Sequence, residues 1–310
     1  FFFNDTATTE IDTLALHDAL PSGSFALQGL PHSADAARRL AARLGLFLHE
    51  IALHRFPDGE LRTTVGPAAS TTVVYASLDQ PNEKLLALMF ASEALRCGGA
   101  KRLVLVAPYL CYMRQDAAFH EGEAISQKVI GRLFADNFDR VITVDAHLHR
   151  TARIEDVFPG IAADDLSAVP AMVKTLRAGG VDSRTVVVGP DEESHPWVSD
   201  LAGRLGLEHA VARKMRRGDR SVEISFANPA TFAGRPALLV DDIVSSGGTL
   251  IVCAKVLHAA GATTVDAVVT HALFAPELAH TLFAAGIRSV KSTESVPQST
   301  KELALNGILA

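Results

Sequence analysis

Cysteine is scarce in this chain. Only Cys97, Cys111 and Cys253 occur in 310 residues, and they lie far apart. That spacing makes neither a zinc site nor a disulfide framework. It fits three buried thiols in a reducing compartment, so a cytoplasmic protein is expected. Long apolar runs are missing too. None reaches the roughly 18 residues that a membrane-spanning helix requires, and no membrane partner is expected. Positive charge is not in excess: 29 lysines and arginines stand against 35 acidic residues, a formal net charge of −6, which argues against a general nucleic-acid binder. No G-x-x-x-x-G-K-[ST] segment occurs, and no G-x-G-x-x-G follows a strand pattern, so a Walker-type nucleotide site and a dinucleotide cofactor are both disfavoured. Residues 1–22, FFFNDTATTEIDTLALHDALPS, lack the basic and continuous apolar regions of a signal peptide. They read as a non-native-looking or disordered leader, outside the fold argument.

What is present is a globular composition, with 48% hydrophobic and 21% charged residues, in a chain long enough for two domains. From Ser24 onward, strand and helix patterns alternate. FALQGL, TTVVYASL, RLVLVAPYL and RVITVDAH read as strands in the first half. SADAARRLAARLGL reads as a helix capped by Ser33 and ending near Gly45, followed by EKLLALMFASEALRCGG and a helix around Ile125–Asn137. The second half repeats the scheme: TVVVGPD, PALLVDD and VDAVVTHALF as strands, VPAMVKTLRAGG, HPWVSDLAGRLGL and TLIVCAKVLHAAGA as helices. Short Val/Ile/Leu runs alternating with helices predict an α/β protein with two tandem, mainly parallel sheets flanked by helices. The expected division is 23–165 and 166–310. Open parallel sheets bind ligands beyond the carboxyl ends of their strands, and polar clusters follow the strand patterns there: Arg114-Gln115-Asp116, Asp145 with His147, Asp191, Asp241-Asp242, and His271.

The strongest local signal is PALLVDDIVSSGGTL. An apolar strand pattern meets two adjacent carboxylates, then a short turn with two serines, two glycines and a threonine, then a helix. Glycine permits positive φ and close approach to an anion. A helix start offers free N–H groups and a positive dipole end to a phosphate, and the hydroxyls of Ser245, Ser246 and Thr249 add donors. Asp241 and Asp242 repel phosphate, so sugar hydroxyls or a metal are their natural partners. The segment resembles the phosphoribosyl-diphosphate motif of the phosphoribosyltransferase superfamily. That resemblance implies that Asp241 and Asp242 hold the ribose 2- and 3-hydroxyls while Ser245, Ser246, Gly247, Gly248 and Thr249 cradle a 5-phosphate.

The first half carries FPDGE (Phe56–Glu60), PYLCYMRQD (Pro108–Asp116), GEAIS (Gly122–Ser126) and VDAHLHR. By themselves Pro-Asp-Gly is good turn chemistry, and Arg114 with Asp116 would make a surface ion pair. In this order the segments resemble the ribose-phosphate diphosphokinases, from about Ser24 to the end. The resemblance implies two tandem phosphoribosyltransferase-like domains. It implies ATP contacts from Arg114, Gln115, Asp116 and His147. Phe56, Asp58, Gly59 and Glu60 would complete a neighbouring subunit's adenine site, hence a homo-oligomer. Mg²⁺ would lie at His147 and Asp191. The basic stretch ARKMRRGDRSVEI resembles the family's catalytic loop, with Lys214 and Arg216 as the catalytic pair. The implied reaction transfers the diphosphoryl group of MgATP to the 1-hydroxyl of ribose 5-phosphate. A phosphoribosyltransferase consuming phosphoribosyl diphosphate, and a non-catalytic regulatory paralogue, are the alternatives. The chain departs from the family pattern in three places. EESHPW follows Asp191 where a glycine pair is usual, CYM precedes the RQD segment where small residues are usual, and Ser245 stands where many members have Asp. The sequence also leads one to expect that a last helix is missing.

Overall fold

The computed structural model describes residues 25–217, 221–297, 301–303 and 306–309. The leader at 1–22, together with Asp219 and Arg220 of the basic stretch, lies outside the described residues. The chain divides into two compact units, with the break after Ser167.

The first unit contains β1 (Phe25–Gly29), α1 (Ala34–Leu44), β2 (Leu48–Glu50), β3 (Ala52–Arg55), β4 (Leu61–Thr64), β5 (Thr71–Tyr75), α2 (Pro81–Cys97), β6 (Arg102–Ala107), α3 (Ser126–Ala135), β7 (Arg140–Val144) and β8 (Ala162–Leu166). Its sheet has six parallel strands in the order β2-β1-β5-β6-β7-β8. Val73, Val74 and Leu103–Ala107 are buried on both faces, which is why these segments read as unbroken apolar runs. Pro81 opens α2, where its missing N–H costs nothing, and Gly45 closes α1 in the left-handed conformation with φ 66°. Ser33 precedes α1 as expected, but its hydroxyl does not cap the helix. It accepts the Ser77 N–H at 2.9 Å instead.

The second unit contains α4 (Val169–Ala178), β9 (Val186–Gly189), α5 (His195–Leu205), β10 (Glu208–Val211), β11 (Arg213–Arg217), β12 (Ser221–Ser225), β13 (Pro236–Val244), α6 (Gly248–Ala259), β14 (Thr264–Ala272), α7 (Glu277–Ala284), β15 (Ile287–Thr293) and β16 (Lys301–Leu303). Its sheet is again parallel, in the order β10-β9-β13-β14-β15-β16. The two sheets therefore share one topology: second strand, first strand, then the remaining four in sequence order. In each unit a two-stranded antiparallel hairpin, β3–β4 or β11–β12, is inserted between the second and third strands of the sheet. The units are duplicates in connectivity.

Three expectations need correction. Residues 166–310 do not all group with the second unit, because Ser295–Pro297 and the last described helix, α8 (Asn306–Leu309), pack with the first. The Ser295 carbonyl accepts the Ser77 hydroxyl at 2.5 Å, and Val296, Ile308 and Leu309 are buried. Not every thiol is buried: Cys97 is exposed because it sits at the solvent-facing end of α2. Finally, the basic stretch expected to be a loop is a hairpin on either side of the undescribed residues, with Lys214 opposite Ile224 and Arg216 opposite Val222.

Candidate active site

In the second unit the chain turns from β9 to β10 on one side and reaches β13 on the other. The carboxyl ends of the neighbours β9 and β13 thus flank a reversal of strand order, where open α/β sheets form a crevice. Asp191 follows β9, and Asp241 lies on β13. The strand does not stop at the paired acids. It runs on to Val244, with Asp241 in register with Val269 and Ile243 with His271. Adjacent strand residues face opposite ways: Asp242 is buried while Asp241 is half-buried. The Asp242 N–H donates to Asp241 Oδ1 at 3.1 Å, and the Ile243 N–H to Asp242 Oδ1 at 2.7 Å. Loss of solvent, then the Asp242 and Asp191 carboxylates, hold Asp241 well above the ordinary carboxylate range.

Beyond Val244 the turn Ser245-Ser246-Gly247 leads into α6. Gly247 has φ 69° and is the residue that caps the helix. A side chain there would be strained, and its Cβ would come 2.9 Å from Leu278 Cδ2. At Gly248 a Cβ would meet only Ser246 Oγ, at 3.8 Å, so that position borders open space. The helix begins with the Ile251 N–H bonded to the Gly247 carbonyl at 2.9 Å. The N–H groups ahead of it have no intrahelical acceptor, and Ser245, Ser246 and Gly248 are exposed. This is a helix start open to solvent beside a group of carboxylates, an arrangement that suits an anion.

The segment after Asp191 makes a short 3-10 turn, Glu192–Ser194, leading into α5. Asp191 caps it: Oδ1 accepts the Ser194 N–H at 3.3 Å, and its carbonyl accepts the Ser194 hydroxyl at 2.5 Å. A Cβ on Gly189 would lie 2.1 Å from Ser194 Oγ, so glycine at that strand end makes the capping turn fit. EESHPW is therefore a well-made helix entry that keeps Asp191 at the strand end.

In the first unit the loops after β6 and β7, neighbouring parallel strands, carry the remaining polar residues. Arg114 and Gln115 are exposed in the β6 loop. Asp145 follows β7, buried and left-handed, with φ 42°. Non-glycine residues hold that conformation only where the surroundings over-determine it, commonly at ligand sites. The Ala146 N–H donates to Asp165 Oδ1 at 2.9 Å, and half-buried His147 follows, its ring 6.4 Å from that of His149. FPDGE is the turn of the β3–β4 hairpin. The Phe56 N–H bonds the Glu60 carbonyl at 2.8 Å, the Glu60 N–H bonds Asp58 Oδ1 at 3.1 Å, and Gly59 has φ 93°. All five residues are exposed, and the Arg62 guanidinium stands 5.8 Å from the Phe56 ring centre.

Comparison with known proteins agrees with the two-unit fold. A family model described as the N-terminal domain of ribose phosphate pyrophosphokinase matches residues 26–137, and one described as a phosphoribosyl transferase domain matches 168–296. The ribose-phosphate pyrophosphokinase of Methanopyrus kandleri is 34% identical over 270 residues, covering 86% of this chain and 91% of that one. The chain belongs to the ribose-phosphate pyrophosphokinase family. A second family member, ribose-phosphate pyrophosphokinase 2 of Archaeoglobus fulgidus, is also 34% identical, over 90% of this chain and 97% of its own. In fold, this chain is similar to the crystal structure of phosphoribosylpyrophosphate synthetase from Mycobacterium smegmatis, with a TM-score of 0.79 at 23% identity over 92% of this chain and 96% of that one.

The structure brings Asp191, Asp241, Asp242 and the Ser245–Thr249 turn together in the second unit. It brings Arg114, Gln115 and Asp116 next to the His147 loop in the first. One expected nucleotide contact differs. The Asp116 side chain is 1% exposed, and both its oxygens are taken by Arg150, through Nη1 at 2.8 Å and the backbone N–H at 2.9 Å. The partner is Arg150, not the sequence neighbour Arg114. Cys111 and Met113 of the CYM departure enter the core, while Tyr112, left-handed at φ 63°, donates its hydroxyl to Asn82 at 2.6 Å. Sequence reasoning missed Arg150. Its only signal was the last letter of VDAHLHR.

The carboxylates of the second unit suit a hard cation with oxygen ligands. Among the described residues no group of three or more His, Cys, Asp or Glu is arranged to enclose a metal. Among the described residues no helix is long and apolar enough to cross a membrane.

Proposed function

We propose that this chain transfers the diphosphoryl group of MgATP to the 1-hydroxyl of ribose 5-phosphate, giving 5-phosphoribosyl 1-diphosphate and AMP. The observation that carries the reading is the turn after β13: an open helix start with an outward Gly248, set beside paired carboxylates. That combination suits a sugar phosphate, whose anion needs N–H donors and whose hydroxyls need acceptors. Membership of the family supplies the second substrate.

In this reading Ser245–Thr249 bind the 5-phosphate, and Asp241 and Asp242 orient the ribose through its 2- and 3-hydroxyls. Arg114 and Gln115 contact the nucleotide, with His147 beside its phosphates, and Asp116 acts beneath them through Arg150. Lys214 and Arg216, on the β11–β12 hairpin, stabilise charge on the transferring group and help exclude water. Mg²⁺ would be held at His147 in the first unit and at Asp191 in the second, and when bound it would neutralise phosphate charge. Phe56, Asp58, Gly59 and Glu60 complete the adenine site of a neighbouring subunit. Their exposure on the chain's own surface supports that role, and with it a homo-oligomer. A cytoplasmic location accompanies the use of ATP and the absence of paired cysteines. The test is direct: incubate the full chain with MgATP and ribose 5-phosphate and follow both products. Stoichiometric AMP and phosphoribosyl diphosphate are expected, and AMP without phosphoribosyl diphosphate, or neither, overturns the reading.

A further inference from the structure

Arg150 joins two loops that leave neighbouring parallel strands. Its guanidinium Nη1 lies 2.8 Å from Asp116 Oδ1, and its backbone N–H donates to Asp116 Oδ2 at 2.9 Å. The carboxylate is almost wholly enclosed, while the Arg150 side chain is 48% exposed. The guanidinium also stands 5.4 Å from the ring centre of Phe119. Around this pair the same two loops are tied to the start of α3. The Gln127 N–H donates to the Gln115 carbonyl at 3.2 Å, and the Ser126 hydroxyl to Gln115 Oε1 at 2.5 Å. Thr151, next to Arg150, donates its hydroxyl to buried Gln127 Oε1 at 2.8 Å, and Gln127 Nε2 reaches the Met113 carbonyl at 3.4 Å.

We propose that Arg150 is a positioning residue for nucleotide binding: by holding both oxygens of Asp116 it fixes the Arg114-Gln115 pair and locks that loop to the His147 loop. The proposal rests on the reading that Arg114 and Gln115 contact ATP. The physical reason is the enclosure of Asp116. A carboxylate removed from water requires a cation and hydrogen-bond donors, and Arg150 supplies both from one residue. With Arg150 in place, the loop has one low-energy position, and its two exposed side chains are presented together. Without the guanidinium the loop must open to rehydrate Asp116, which moves Arg114 and Gln115 away from the bound nucleotide. Small displacements of positioning groups weaken substrate use out of proportion to their size. Arg150 thereby acts on ATP through Asp116, and the ribose 5-phosphate cradle in the other unit is not part of this linkage.

The experiment measures steady-state constants for both substrates in Arg150→Ala, Arg150→Lys, Asp116→Asn, the Arg150→Ala/Asp116→Asn pair and Arg114→Ala, each full length and checked for folding by circular dichroism. Arg150→Ala should raise KM for MgATP about ten-fold or more, with KM for ribose 5-phosphate within about two-fold. Arg150→Lys, which keeps the charge but not the fork, should fall between Arg150→Ala and the parent. The double variant should be less impaired than the product of the single effects, because Asn removes the enclosed charge that Arg150→Ala leaves without its partner. An unchanged KM for MgATP in Arg150→Ala, equal increases for both substrates, or independent effects in the double variant would overturn the proposal. Arg114→Ala separates the two levels. If it leaves KM for MgATP unchanged, the nucleotide reading of the loop fails. If it raises that KM while Arg150→Ala does not, only the positioning role fails. Should Arg150→Ala not fold, Arg150→Lys and Asp116→Asn carry the same comparison, and parental MgATP constants in both overturn the proposal.

Discussion

The Lys84 ammonium lies 2.7 Å from Asp79 Oδ1, filling the turn of the first unit that corresponds in topology to the Ser245–Thr249 turn of the second. Both turns follow the third strand of their sheet, β5 or β13, and lead into a helix. In the first unit Lys84 also donates to the Ser77 carbonyl at 3.0 Å, and the Ser77 hydroxyl oxygen lies 3.0 Å from Asp79 Oδ1. An internal cation and an internal anion meet where the second unit has a glycine turn open to solvent. The duplicates have diverged at the same point, one filled by its own side chains and one left open.

Lys84 is therefore structural. Its side chain is 7% exposed and that of Asp79 19%. Lys84→Ala is expected to cost roughly 3 kcal/mol, because it leaves a mostly buried carboxylate without its cation. The combined Lys84→Met/Asp79→Leu variant should recover much of that loss, since an apolar pair removes both desolvation costs. Urea denaturation measures both. KM for ribose 5-phosphate should not follow the stability loss, and a parallel rise would mean that this turn also serves the sugar phosphate.

The paired glycines of the second unit should separate in the same kind of measurement. Gly247→Ala places a side chain at φ 69° and 2.9 Å from Leu278. It is expected to lose about 1–2 kcal/mol of stability through backbone strain. Gly248→Ala adds a methyl in open space at the first position of α6. Stability should hold, while KM for ribose 5-phosphate rises as the methyl enters the space of the phosphate. Thermal melts beside steady-state kinetics distinguish the two, and identical behaviour would deny the glycines separate roles.

The elements legible in the sequence were those with strong burial. β5, β6, β7, β9, β13 and β14 are apolar runs because helices cover both faces, and α2 follows a long helical pattern closed by Gly98. The two hairpins were not legible. Ala52–Arg55 and Leu61–Thr64 are largely exposed, and Arg213–Arg217 is nearly all basic, so neither carries apolar alternation. Among their described residues only Leu53 and Ile224 pack on the cores, too few to make a strand pattern. In the site, Asp191 and Asp241 were legible because each stands at or near the carboxyl end of a recognisable strand. The enclosure of Asp116 was not. Its partner is 34 residues away, and the two meet only because β6 and β7 are neighbours in the sheet.

The three thiols should differ sharply in reactivity. Burial pushes Cys111 up to about 12. Burial first, then the Asp241 and Asp191 carboxylates, does the same for Cys253. Both stay protonated at neutral pH, and the thiolate is the nucleophile. Cys97 is exposed. A disulfide reagent at pH 8 should titrate one thiol per native chain quickly, and three after denaturation. Alkylation of Cys97 should leave activity unchanged, since α2 carries it away from the strand ends. Rapid reaction of two or three native thiols would contradict the burial of Cys111 and Cys253.

The two hairpins occupy the same place in their units, yet the proposed function gives them opposite duties. β11–β12 brings Lys214 and Arg216 to its own chain's transferring group, and the β3–β4 turn offers Phe56 to another chain's adenine. Lys214→Ala should lower kcat by about 100-fold or more, with little change in KM for ribose 5-phosphate, because the ammonium acts on charge that develops in the transition state. Phe56→Ala should raise KM for MgATP instead. Mixing the two inactive or impaired chains then decides whether the site is shared. In a reciprocal dimer, a Phe56→Ala chain keeps Lys214 and receives Phe56 from a Lys214→Ala partner, so each hybrid holds one intact site. Random pairing of equal amounts should restore roughly a quarter of the parent activity. Activity no greater than the average of the separate variants would mean that each chain completes its own adenine site, and the exposed turn at Phe56–Glu60 would have to fold back onto its own unit.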